Sequence, residues 1–140
     1  MACSAAMITS QTESTGAFRQ VVSIDAHTLH ADVSVELGGQ ASAPGPHDYF
    51  DGALATCKAL TACVVAKQRG FALERVLVEV ARDDSKERAG TYRLTVRLTF
   101  EGGLSQDEKE KLHAMVARCP IHKLMTTTTV EIDQLPLAPA

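Results

Sequence analysis

The stretch HDYFDGALATCKALTACVVAKQRG, residues 47–70, constrains the fold more than any other part of this chain. Its Phe50, Ala53, Leu54, Cys57, Leu60, Thr61, Val64 and Val65 recur at helical spacing and fall on one stripe. Gly70 stands where such a helix needs a C-terminal cap. Much of the remaining surface is Ala, Val or Cys, so few positions demand water. The segment is expected to be the central helix of the fold, buried on most sides.

Strand patterns flank it. Residues 1–16, rich in Ser, Thr and Ala, read as a flexible lead-in. FRQVVSI at 18–24 and TLHADVSVEL at 28–37 read as strands, joined into a hairpin through Asp25 and Ala26. In the second strand Leu29, Ala31, Val33 and Val35 alternate inward, with His30, Asp32, Ser34 and Glu36 outward. GGQASAPGP at 38–46 is a loop. Beyond the helix come LERVLVEVARD at 73–83 and TYRLTVRLTFE at 91–101, separated by the charged DSKERAG. Tyr92, Leu94, Val96, Leu98 and Phe100 share one face, and Thr91, Arg93, Thr95, Arg97 and Thr99 the other, which predicts a sheet with one wet face.

LSQDEKEKLHAMVAR at 104–118 opens with a capping box, Ser105 and Glu108, and places Asp107 and Glu108 in the favourable first turn. Pro120 disfavours helical geometry at Cys119, so the helix breaks there and PIHKLMTT begins a new short one. A last strand, TTVEIDQL, is expected to close the sheet. Together these elements predict an α+β fold, with antiparallel sheets around a buried helix and one domain over residues 17–140.

With 45% hydrophobic residues, a chain of 140 is long enough for one domain with a real core. Its 14 basic and 17 acidic residues leave a net charge of -3, which provides no general positive field for nucleic acid or anionic lipid. MACSAAMITSQTESTG has neither the basic nor the apolar region of a secretion signal, and no uncharged apolar run approaches the ~18 residues of a membrane span. A soluble cytoplasmic protein without nucleic-acid or membrane partners is expected. In that setting Cys3, Cys57, Cys63 and Cys119 are not a disulfide scaffold, and any pair among them is better read as reactive.

The chemistry concentrates in VARCPIHKLM, residues 116–125. At the N-cap position before Pro120, the Cys119 sulfur would face free amides and the positive end of a helix, with Arg118 as a nearby cation, and both favour thiolate. The alternative is a small buried hydrophobe at a helix junction. Cys57 lies on the apolar stripe, where a thiol without a partner is inert. One cysteine in an apolar central helix and a second at a cation-flanked Cys-Pro break change the odds for each other. Cys63, six positions further and about 240° around the helix, is assigned to packing. His113, Cys119 and His122 are metal-ligand types, but their spacing across a helix break argues against a zinc site.

The central helix opened by GPHDYFDGALATCKALT, followed by ARCPIH with its cysteine 62 residues after Cys57, resembles the OsmC/Ohr superfamily of bacterial thiol peroxidases. The resemblance covers the chain from about Phe18 to Leu135. It implies an OsmC-like α+β fold in an intertwined homodimer with two sites at the subunit interface. It further implies that Cys57 is the peroxidatic and Cys119 the resolving cysteine of a thiol-dependent peroxidase, with no metal or organic cofactor. Apolar walls around Cys57 suit an organic or fatty-acid hydroperoxide better than hydrogen peroxide. In the family an arginine from the N-terminal strands, held by a carboxylate just ahead of the helix, supports the first cysteine. Arg19 and Asp48 are the candidates here, and His47 occupies the position where the organic hydroperoxide resistance branch carries a glutamate. The reductant implied is a dithiol, a lipoyl-bearing protein or a small thiol. A second reading is a non-catalytic OsmC-like dimer that binds a lipid-like molecule in an interface pocket.

Overall fold

The computed structural model describes residues 7–139. It divides the chain into two compact units that meet in sequence at Phe50 and Asp51.

In the first unit, β1 (Ile8–Thr12), β2 (Gln20–Ile24) and β3 (His27–Ala31) form an antiparallel sheet in that order. The start of α1 (Pro46–Arg69) completes the unit. β1 corrects the expectation of a flexible lead-in over part of its length. Ile8 pairs with Ile24 and Thr12 with Gln20, so backbone pairing makes a strand of five exposed residues that show no buried face. The β2–β3 hairpin is as expected, turning through Asp25 at φ 51°, a left-handed conformation that Asp tolerates better than most residues.

The strand expected to run to Leu37 stops at Ala31, and the side chain that stops it is the next one. Asp32, expected outward, is buried, and its carboxylate accepts from the Val33 amide at 2.8 Å, the Gln40 amide at 3.2 Å, the Ser42 amide at 3.1 Å and the Ser42 hydroxyl at 2.6 Å. Four bonds to one carboxylate fold residues 33–42 back on themselves, with a 3₁₀ turn at Val35–Leu37. Val35, expected inward, is therefore exposed. A Cβ added at Gly39 would stand 2.6 Å from Asp32 Oδ1 and 2.3 Å from the Val33 carbonyl oxygen, so glycine is required there. The Ser42 hydroxyl, followed by the Ser42 and Val33 amides, lowers the Asp32 carboxyl from 3.8 to about 2.

The second unit holds the rest of α1, β4 (Leu73–Asp83), β5 (Arg93–Gly102), α2 (Gln106–Val116) and α3 (Pro120–Thr126). β4 and β5 pair antiparallel. β5 alternates as its sequence predicts, from half-buried Leu94, Val96 and Leu98 to buried Phe100, with Arg93, Thr95, Arg97 and Thr99 exposed. Ala62, Phe100, Leu112 and Val116 form the core, with Val65, Leu73, Val76, Leu98 and Leu104 packed around them. The capping box is present, the Glu108 amide donating to Ser105 Oγ at 3.1 Å and the Ser105 amide to Glu108 Oε2 at 3.0 Å. Gly70 at φ 69° ends α1, and the Phe71 amide closes back onto the Ala66 carbonyl at 2.9 Å.

Two expectations are corrected in this unit. The buried row of α1 is Asp51, Leu54, Lys58, Ala62 and Ala66, while Leu60 and Val64 are exposed, so the helix is turned from the expected stripe and is not buried on most sides. Two polar side chains, Asp51 and Lys58, find partners inside and take the place of larger apolar neighbours. The expected closing strand is absent: residues 128–139 have no regular structure, and Val130, Ile132, Leu135 and Leu137 are exposed. No strand among the described residues pairs with that segment, and an unpaired β-pattern has nothing to hold it extended in a ladder. By length and composition α1 is long and apolar enough to cross a membrane, though Lys58 interrupts it and no uncharged run in it approaches a membrane span, as expected. Its buried Asp51 and Lys58, and its Ala62 in the core cluster, are features of a core helix.

Candidate active site

The helix break at Cys119 brings two thiols and an ammonium group together. Cys119 is the N-cap of α3, extended at φ -62° and ψ 157°, with Pro120 opening the helix as its sequence predicts. It is almost fully buried, at 1% exposure. Cys57, half-buried on α1, has its sulfur at the start of the same helix α3, and both cysteines are free thiols. The amides at the start of α3 are shared: the Ile121 amide donates to Cys57 Sγ at 3.5 Å, while the Cys119 side chain makes no capping bond.

The cation at this junction is Lys58, next in sequence to Cys57. It is 4% exposed, and its Nζ donates to the carbonyl oxygens of Val116 at 3.2 Å and Ala117 at 3.4 Å, the open C-terminal end of α2. It also lies 3.3 Å from His122 Nδ1. An ammonium can only donate, so Nδ1 accepts and the neutral His122 ring carries its proton on Nε2. Arg118, the cation expected from the sequence, is exposed, and the charge acting on Cys119 is that of Lys58.

These surroundings correct the expectation of a Cys119 thiolate. Burial pushes the Cys119 thiol up, and the neighbouring Cys57 adds to this, while the His122 backbone amide and the Lys58 charge pull the other way. The net direction is upward, so Cys119 rests as a thiol.

The family model for OsmC-like protein matches residues 39–133, which include α1, both cysteines and the Cys-Pro break. This chain belongs to the OsmC-like family. Solved structures share the fold. An OsmC-like protein from Mycoplasma pneumoniae superposes with a TM-score of 0.70 at 18% identity, covering 89% of this chain and 89% of its own. An organic hydroperoxide resistance protein from Legionella pneumophila has a TM-score of 0.64 at 22% identity, over 91% of this chain and 93% of its own. The corresponding figures for an organic hydroperoxide resistance protein of Bacillus subtilis are 0.60 and 17%, over 90% and 93%. No curated protein matches this sequence.

Arg19, Asp48 and His47, also expected at the OsmC-like site, belong to the first unit. Arg19, in the first unit, is held by Glu13, whose Oε2 is 3.2 Å from its Nε, and by Ser42, whose hydroxyl and carbonyl oxygens accept from Nη1 at 2.8 and 3.0 Å. Asp48 accepts from the Gly45 amide at 2.9 Å in the first turn of α1, and His47 is exposed beside it. Cys63 is exposed instead of packed, and Cys3 falls outside the described residues. Among the described residues no group of three or more His, Cys, Asp or Glu is placed to hold a metal ion, and His122 turns to Lys58.

The sequence reading missed two polar groups on α1. One is Lys58. The other is Asp51, which takes Arg82 Nε at 2.5 Å and the Tyr92 hydroxyl at 2.6 Å, fastening α1 to β4 and to the residue just ahead of β5. Burial, then the bond to Asp51, raises the Tyr92 phenol, so it remains the donor. Their signal was the i, i+4 row Leu54, Lys58, Ala62, Ala66: a lysine in line with small apolar residues is a lysine aimed inward.

Proposed function

We propose that this OsmC-like chain is a cysteine-based peroxidase that reduces organic or fatty-acid hydroperoxides, with Cys57 as the attacking sulfur and Cys119 as the resolver. The observation that carries this reading is that Cys57 Sγ accepts from the Ile121 amide, two residues beyond the N-cap Cys119, so both thiols lie at the start of α3 in a chain whose described cysteines are all free. Solved relatives of the same fold, named organic hydroperoxide resistance proteins, support the substrate class.

The Cys57 thiolate attacks one peroxide oxygen. The O–O bond breaks, the alkoxide takes a proton and leaves as the alcohol, and Cys57 becomes a sulfenic acid. Cys119 then attacks that sulfur, the S–O bond breaks, and water leaves as the disulfide forms. A lipoyl-bearing protein reduces the disulfide and its dithiol is oxidised to a cyclic disulfide, or two molecules of a small thiol do so and leave joined as their own disulfide. Arg19 and Asp48 are proposed as the residues that support Cys57, with His47 standing where the organic hydroperoxide resistance branch has a glutamate.

A homodimer is part of the proposal. Leu60 and Val64 on α1, with Ile132, Leu135 and Leu137 near the C-terminus, are large exposed apolar side chains of the kind an interface covers. The free thiols suit a reducing compartment, and the cytoplasm is proposed.

The test is peptide mapping after one equivalent of cumene hydroperoxide or hydrogen peroxide, followed by dihydrolipoamide. A Cys57–Cys119 disulfide that forms faster with the organic peroxide and is reversed by the dithiol is expected. Cys57→Ser should abolish turnover, and Cys119→Ser should permit one oxidation and then stall. Thiols that stay reduced would overturn the reading in favour of a ligand-binding OsmC-like dimer.

A further inference from the structure

Lys58 is a buried charge without an opposite charge. All of its partners, the Val116 and Ala117 carbonyls and His122 Nδ1, are neutral acceptors, and among the described residues no carboxylate pairs with it. Its positive field is therefore not cancelled locally, and it lies in a part of the protein where screening by water is weak. The groups facing Cys119 are Cys57 and Lys58 from α1 and His122 from α3, with Arg118 exposed beside it. One cation thus stands beside two sulfurs at the start of one helix. Two neighbouring anions oppose each other's ionisation, so the pair ionises in sequence, one thiolate at a time.

We propose that Lys58 is the positioning cation of the two-cysteine site, serving the two sulfurs in turn and so timing the resolving step. The inference rests on the peroxidase reading above. While Cys57 is a thiolate, its charge keeps Cys119 protonated, and the single ammonium is engaged by the attacking sulfur. Once the peroxide has converted Cys57 to a neutral sulfenic acid, that repulsion is gone and the Lys58 field acts on Cys119 alone. Cys119 then loses its proton and attacks; the S–S bond forms, the S–O bond breaks, and the departing hydroxide takes a proton to become water. No oxidant beyond the peroxide already consumed is needed. The three acceptors hold the ammonium in place through both stages, so the neutral His122 ring is part of the anchor.

The test reads thiol ionisation directly. In the full chain with Cys3, Cys57 and Cys63 changed to Ser, Cys119 is the only thiol, and its thiolate absorbance is followed against pH. Lys58→Met is expected to move the Cys119 midpoint up by about one unit, a roughly tenfold smaller thiolate fraction at neutral pH, while Lys58→Arg holds it near its starting value. Lys58→Gln, which keeps donors for the α2 carbonyls but carries no charge, should behave like Met and decides the matter if the Met variant does not fold. Cys57→Asp in place of Cys57→Ser, which sets a fixed anion beside Cys119 in the otherwise identical protein, should raise the midpoint further. A Lys58→Gln protein that is folded and titrates as its Lys58 parent overturns the proposal. No peroxide enters this measurement. Failure of the peroxidase reading would instead show as undiminished peroxide consumption by Cys57→Ser.

Discussion

Asp32 and Lys58 are buried to the same degree, at 4% exposure each, and the protein solvates them in opposite ways. Asp32 receives four hydrogen bonds from one short loop, and its charge is taken up in holding that loop closed. Lys58 gives its protons to three acceptors that do not neutralise it, at a junction where two thiols meet. The first arrangement makes a buried charge structural. The second leaves a buried charge available to act on neighbours. Burial alone does not distinguish them; the charge of the partners does.

The largest expected effect comes from inverting the second arrangement. Lys58→Glu would set a carboxylate against two carbonyl oxygens and a ring nitrogen, with a loss of about 3–5 kcal/mol in denaturant unfolding, the range for an uncompensated buried charge. Lys58→Met should be far milder. It removes the cost of desolvating the ammonium, and water can reach the exposed Ala117, so stability is expected to stay within about 2 kcal/mol of the parent even as thiol ionisation changes.

Asp32→Asn should do the reverse. It is expected to lower the thermal midpoint, because an amide cannot accept from all four donors as the carboxylate does, and to leave the Cys119 titration unmoved. The acid limb of the stability curve sharpens the same point. The folded carboxyl titrates at about 2 against a usual 3.8, so its contribution is complete above about pH 4 and is lost as the pH falls from there toward 2. Asp32→Asn should remove that share of the acid dependence, read by denaturant titration across this window. The smallest effect belongs to a charge with neither role. Lys111, exposed and 2.9 Å from Asp107 on α2, should shift stability by no more than about 0.5 kcal/mol when changed to Ala.

What could be read from the sequence was set by local rules. The capping box at Ser105, the break at Cys119 and Pro120, the end of α1 at Gly70 and the alternation of β5 each depend on residues within a few positions, and each is present. That Cys57 belongs with the start of α3 was suggested only by the family resemblance, which joined two segments 62 residues apart. The misses share a cause: a polar residue with a distant partner. Asp32 was placed outward by strand alternation, since its donors at Gln40 and Ser42 are invisible to a period-two pattern. Lys58 was passed over in favour of Arg118, which adjoins Cys119 in sequence but not in effect. β1 has no apolar face to betray it, and the C-terminal segment has the pattern of a strand without a partner.

Cys57 and Lys58 are neighbours in the chain as well as in the site. Successive residues of a helix leave its axis about 100° apart, and no insertion or deletion elsewhere in α1 can alter that angle. Such a change could turn both groups away from the α2–α3 junction together, but it could not part them. The distance between a sulfur and its cation is thereby written into a dipeptide, so lineages of this sequence can drift widely in loops and strands while the pair keeps its geometry, and only replacement of one of the two residues can undo it.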